Sequence, residues 1–122
     1  MKVAGFGFRD GAPLGSLRVA LGLVEQAGGP ATALATATSK AGAAALNDLA
    51  IERGLVVLAV PVVGVATPTQ SPRVQAMFGT GSVAEAAALA GAGDGATIIV
   101  GRITSPDGLA TCAMAVSCGA RP

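Results

Sequence analysis

Four of the eight basic residues, Arg9, Lys40, Arg73 and Arg102, fall where the sequence changes from strand pattern to loop or from loop to helix. If those loops share one edge of a sheet, the cations can hold a ligand bearing several carboxylates through charge-assisted hydrogen bonds. If they do not, they are solvated surface charges. A second feature of the same kind is Gly79-Thr80-Gly81-Ser82, which runs directly into Val83-Ala84-Glu85-Ala86-Ala87-Ala88-Leu89. Ser82 and Glu85 have the spacing of a capping box: the Ser hydroxyl accepts from the third helical amide while the Glu reaches back to the Ser82 amide. The cap explains the helix start but not the two glycines before it. These either expose backbone amides to an anion at the positive end of the helix dipole or make a plain tight turn.

Other chemistries are limited by what the chain lacks. It has no His, so Cys112 and Cys118 cannot join a zinc site of Cys and His ligands, and both read as reduced thiols, at least one of them buried. Gly5-Phe6-Gly7-Phe8-Arg9-Asp10-Gly11 has the look of a dinucleotide fingerprint, but its third glycine is one place late. No acid closes the second strand to meet a ribose, and no Gly-x4-Gly-Lys-Ser/Thr occurs. Neither a cofactor nor a metal is therefore expected. The candidates for a general base are Glu85, Lys40 and the more distant Asp10. Glu85 is committed to its cap, and Lys40 would have to be neutral to act.

These residues must be positioned by alternating strand and helix patterns. Residues 2–8 read as a first strand, and Ser16 can cap a helix over 17–26 that Gly28-Gly29-Pro30 stops. A second strand over 31–37 leads to a helix over 40–53, capped by Ser39 and closed by Gly54. Leu55-Val56-Val57-Leu58-Ala59-Val60 has the continuous aliphatic pattern of a strand buried on both faces. Ser71-Pro72 opens a short helix over 72–77. The helix after Ser82 ends at Gly91 or Gly93, and Ser105-Pro106-Asp107-Gly108 is a turn joining two antiparallel strands, 97–103 and 109–116. The pattern predicts a three-layer α/β/α sandwich with a mixed, mostly parallel sheet and a C-terminal antiparallel hairpin, in one domain over residues 1–122.

Composition agrees with a small binding or catalytic domain. Hydrophobic residues make up 52% of the 122, mostly Ala, Val and Leu, enough for a core of closely spaced elements. Three Phe and no Trp or Tyr leave no platform for stacking nucleic-acid bases, and a net charge of +1 gives no overall attraction to a polyanion or acidic membrane. The longest apolar run, 55–66, is interrupted by Pro61 and Gly64 and is shorter than the ~20 residues of a membrane helix. Together with an N-terminus that enters a strand at once, this predicts a cytoplasmic protein with neither a nucleic-acid nor a membrane partner.

Taken in order and spacing, Gly5-Phe6-Gly7-Phe8-Arg9, Ala37-Thr38-Ser39-Lys40-Ala41, Thr67-x3-Ser71-x2-Val74 and Gly79-x2-Ser82-Val83-Ala84-Glu85-Ala86-Ala87-Ala88-Leu89 resemble the cobalamin-biosynthesis CobE/CbiG C-terminal domain family. The resemblance covers essentially the whole chain. Larger members are cobalt-precorrin-5A hydrolases, which open a ring lactone and release acetaldehyde; this chain resembles the small stand-alone form of the aerobic pathway. Corrin intermediates carry acetate and propionate groups around a large apolar ring, a ligand to which helix amides and scattered cations are suited. On the matched positions the resemblance implies a ligand-contacting set of Gly7, Arg9, Lys40, Thr67, Ser71, Gly79, Thr80, Gly81, Ser82 and Glu85, with no catalytic residue assigned. Two positions depart from the family's pattern. Family members commonly show an acid shortly after the lysine, where this chain reads Lys40-Ala41-Gly42-Ala43-Ala44, and a Lys where this chain has Arg102. The expected function is binding of a corrin or precorrin intermediate as a carrier or accessory protein. Hydrolysis of a precorrin lactone and docking onto another cobalamin-pathway enzyme are the alternatives.

Overall fold

In the computed structural model, which describes residues 1–117 and only the backbone of Met77 and Phe78, the strands form one five-stranded sheet. β1 (Lys2–Phe8), β2 (Ala33–Ala37) and β3 (Val57–Val60) pair in parallel, while β4 (Thr97–Thr104) and β5 (Ala110–Val116) form an antiparallel hairpin. β5 pairs antiparallel with β1, giving the order β3-β2-β1-β5-β4. Four strands therefore run one way and β5 alone runs back, so the sheet is mixed and mostly parallel, as the strand and helix alternation predicts.

Alternation along β1 builds the two faces. Ala4 and Phe6 point to a core shared with α1 (Leu14–Gly28) and α2 (Ala44–Arg53), where Leu17, Leu21, Leu46 and Leu49 are fully buried. Val3 points the other way, into a core with Ala33, Ala35, Ala86 and Ala87 of the sheet and of α4 (Val83–Ala92). Those small side chains let α4 lie almost on the sheet. A Cβ added at Gly5 would come 2.1 Å from the Ala84 carbonyl oxygen and 2.4 Å from the Ala88 nitrogen, both backbone atoms that cannot yield. Gly5 is thus required by helix packing, independently of any ligand, whereas a Cβ at Gly7 would meet the Thr111 hydroxyl oxygen at 3.0 Å.

Several element boundaries differ from the sequence expectation. α1 begins at Leu14 after Pro13, and Ser16 lies inside its first turn, where its hydroxyl donates to Asp107 instead of capping. Thr38–Lys40 forms one 3-10 turn, and α2 starts only at Ala44, with Asn47 donating to the carbonyls of Ala41 and Ala43 in place of a Ser39 cap. β3 is an edge strand: among the described residues no strand pairs with its outer side, and Val56 just before it is 61% exposed. The aliphatic run is met on both faces, Val57 by the first core and Leu58 and Val60 by the second, but its edge position leaves these side chains only partly buried. The short α3 (Pro72–Phe78) starts as predicted at Ser71, whose hydroxyl accepts from the Val74 amide at 3.4 Å. Cys112 is fully buried and unpaired, and burial pushes its thiol well above the ordinary range. Cys118 lies outside the described residues.

Candidate functional site

The carboxyl ends of β1, β2 and β4 point to one edge of the sheet, the position at which ligands meet open α/β sheets. Beyond β1 the chain turns through Arg9 and Asp10, with the Arg9 amide donating to the Leu109 carbonyl at 3.0 Å, which binds this loop to the hairpin turn. Lys40 ends the 3-10 turn after β2, Ser71 and Arg73 stand at the start of α3, and Arg102 lies near the end of β4. Between them is a cleft of about 570 Å³, within the range of small-molecule sites (about 300 to 1,000 Å³). Its lining includes Arg9, Lys40, Arg73 and Arg102, with Phe8, Val83 and Leu109 as apolar surface and Asp10 as the single carboxylate. The cations picked out by sequence position are brought together.

Their pairing state differs from that of the basic residues elsewhere. Away from the cleft, Arg18 forms a two-pronged pair with Glu52 at 2.9 and 2.8 Å, and Arg53 meets Glu25 at 2.7 Å. At the cleft, Lys40 meets Asp10 at 2.5 Å and lies 5.3 Å from the centre of the Phe8 ring. Among the described residues, the guanidinium groups of Arg9, Arg73 and Arg102 make no ion pair. The Lys40 hydrogen bond and charge hold the Asp10 carboxyl below its ordinary value. The acid that the segment after Lys40 lacks is thus supplied by the loop after β1, thirty residues earlier. That pairing is between loops and carries no signal in local sequence; only the joint placement of both residues at strand ends could have found it.

The ten ligand-contact expectations divide into two groups. Gly7, Arg9, Lys40 and Ser71 line the cleft. Thr67, Gly79, Thr80, Gly81, Ser82 and Glu85 do not; they form a sealed junction behind it, in which Thr67, Thr80, Ser82 and Glu85 are buried. Arg73, Arg102 and Asp10 line the cleft and were outside that set of ten.

The junction has its own logic. Ser82 caps α4, its hydroxyl accepting from the Glu85 amide at 3.3 Å. Glu85 does not return the bond to the Ser82 amide. Its carboxylate, fully buried, accepts from the Thr69 amide at 2.8 Å, the Thr69 hydroxyl at 2.9 Å and the Arg102 amide at 3.0 Å. One side chain thereby ties the start of α4 to the loop before α3 and to the β4 residue that supplies a cleft cation. Thr80 donates to the Val65 carbonyl at 2.7 Å, and the Gly81 carbonyl accepts from the Ser71 amide at 2.9 Å. Gly79 ends α3 in the left-handed region (φ 71°), and a Cβ at Gly81 would meet the Thr69 carbonyl oxygen at 2.5 Å. Both glycines are accounted for by the chain itself.

Chemically the cleft is equipped to bind anions. Glu85 is sealed away and the Cys112 thiol is buried and protonated, leaving Asp10 as the one carboxylate at the cleft, and that one is held below its usual range. A base so weakened is poorly matched to proton abstraction near neutral pH. Among the described residues no group of three metal-ligating side chains lies together, and no helix is long and apolar enough to cross a membrane.

The family model described as cobalamin synthesis G C-terminus matches residues 2–115. The chain belongs to this family. Cobalamin biosynthesis is accordingly the pathway in which it takes part. The fold is similar to that of crystallised CobE, a protein from the cobalamin (vitamin B12) biosynthetic pathway, with a TM-score of 0.81 and 27% identity over 99% of this chain and 93% of that one. It is also similar to the cobalamin biosynthesis protein chiG from Agrobacterium tumefaciens str. C58, with a TM-score of 0.75 and 30% identity over 98% of this chain and 100% of that one. No curated protein matches the chain.

Proposed function

We propose that the protein binds a polycarboxylate corrin-ring intermediate of cobalamin biosynthesis in the four-cation cleft, as a carrier or accessory protein. The observation that supports this reading is the charge arrangement: four cations line one cleft against a single acid, while Arg18 and Arg53 elsewhere are paired. Four like charges gathered around one acid repel one another, and a ligand with several carboxylates relieves that repulsion. Phe8, Val83 and Leu109 between the cations give an apolar ring a surface to cover. In this reading the Gly79–Ser82 turn and Glu85 position Ser71 and Arg102 from behind.

The experiment is a titration of the purified protein with a late precorrin or cobalt-free corrin, followed in the corrinoid absorption spectrum. Each guanidinium should contribute roughly 1.5 to 3 kcal/mol. Arg9→Ala and Arg102→Ala should each weaken binding by roughly ten- to a hundredfold while the melting temperature stays put. Affinity unaltered in both variants would remove the cleft as the site. A parallel mixture with the lactone-bearing precorrin distinguishes binding from lactone hydrolysis: steady release of acetaldehyde over many turnovers would replace the carrier reading with the hydrolase one.

A further inference from the structure

Phe8, Asp10 and Lys40 line the four-cation cleft and also a second one of about 520 Å³, whose other walls include Ala12, Ser39 and Ala43. The Lys40–Asp10 pair therefore stands in the partition between two cavities, and its halves are held very differently. The Lys40 side chain is 17% exposed, resting over Phe8, whereas the Asp10 side chain is 97% exposed. Among the described residues Lys40 is the one group bonded to the Asp10 carboxylate. The ammonium is thus a fixed part of the wall, and its counter-ion is a solvent-borne loop residue that can leave without breaking any other bond.

We propose that Asp10 is a place-holder counter-ion, which occupies Lys40 in the empty cleft and is exchanged for a carboxylate of the ligand. The inference rests on the polycarboxylate-binding reading above and adds a competitor to it. A ligand carboxylate reaching Lys40 replaces one carboxylate by another, so that contact yields little net pairing energy to a lone carboxylate, which must also give up its translational freedom. A ligand already anchored on Arg9, Arg73 and Arg102 presents its next carboxylate at high effective concentration, and the exchange succeeds. Asp10 accordingly selects for ligands with many carboxylates. Its departure also clears the partition, so that the edge of a macrocycle can extend over Phe8 toward Ala12 and Ala43.

This view and a purely supporting role for Asp10 predict opposite signs. If Asp10 serves to hold Lys40 in place for the ligand, Asp10→Asn weakens binding. If it competes, Asp10→Asn tightens it. The test uses uroporphyrin, a soluble tetrapyrrole with acetate and propionate groups, titrated by absorbance into the parent chain, Asp10→Asn, Lys40→Met and the double variant. We expect Asp10→Asn to tighten binding roughly tenfold, the size of a single charge-assisted contact, whereas Lys40→Met, which removes the exchanged contact together with its competitor, should leave affinity within about threefold of the parent. In the Lys40→Met background, Asp10→Asn should then change affinity by less than about twofold, because the competition has lost its object. Unchanged or weaker binding in Asp10→Asn, or an equal gain with Lys40 absent, overturns the place-holder role while leaving the binding reading in force if Arg102→Ala still weakens uroporphyrin. Failure of both the parent and Asp10→Asn to bind overturns the two together.

Discussion

Replacing Glu85 tests how the cleft is held from behind. In Glu85→Ala three hydrogen bonds disappear, and the Thr69 and Arg102 amides, now 2.8 and 3.0 Å from carboxylate oxygens, are left facing a void. An unpaired buried donor costs about 1 to 3 kcal/mol. Two amides and the lost Thr69 hydroxyl bond therefore sum to about 3 to 5 kcal/mol once some water enters. For a chain of 122 residues that corresponds to a fall in melting temperature of roughly 10 to 30 °C. Glu85→Gln keeps the shape but turns an amide group toward one of the donors, and should cost about 1 to 3 kcal/mol. The absence of Trp and Tyr makes far-UV circular dichroism the suitable probe of melting. Amide hydrogen exchange supplies the local readout, since Thr69 and Arg102 should lose protection before the core strands do. A Glu85→Ala protein melting within about 2 °C of the parent would refute the assignment of Glu85 as the tie between α4, the loop before α3 and β4.

Other outcomes follow from the same geometry. Ser82→Ala removes the α4 cap and should cost about 0.5 to 2 kcal/mol in urea denaturation. Gly81→Ala should destabilise the fold by about 1 to 3 kcal/mol, because its Cβ would press on the Thr69 carbonyl; equal stability with weakened ligand binding would instead favour a direct ligand role for this turn. Acid should destabilise the protein through Glu25: burial pushes its carboxyl up, but the Arg53 guanidinium and the Ala31 amide outweigh this and hold it below the ordinary 4.5. A depressed carboxyl stabilises the fold above that ordinary value and loses the contribution as pH falls below it, so the urea midpoint should begin to drop below pH 4.5, and less so in Glu25→Gln.

What the sequence made legible depended on whether the signal was local. The Ser71 and Ser82 caps, the Gly54 and Gly93 helix ends and the Ser105–Gly108 turn all form within a few residues, and each stands in the structure. The four cleft cations were legible for a related reason: each sits at a strand end or helix start, and a mostly parallel sheet carries such positions to one edge. Where tertiary contacts decide, sequence spacing misleads. Ser16 could cap but is drawn to Asp107 across the molecule, and Glu85 has capping-box spacing but finds better donors in Thr69 and Arg102. The aliphatic run before Pro61 has the pattern of a strand covered on both faces, and both cores reach it, but its place at the sheet edge is set by pairing with β2 and is not written in that pattern. The glycines before α4 invite a ligand in sequence and are used up by close approach to the chain's own Thr69 and Val63.

The central claim, that the four-cation cleft receives a polycarboxylate corrin, is tested most directly by the absorption titration of the parent chain beside a protein carrying both Arg9→Ala and Arg102→Ala. Both arginines are exposed and unpaired among the described residues, so their loss should leave the melting curve in place. The account predicts a saturable spectral change with equimolar stoichiometry in the parent, and its loss over the same concentration range in the double variant. A corrin that binds both proteins alike, or neither, would contradict it.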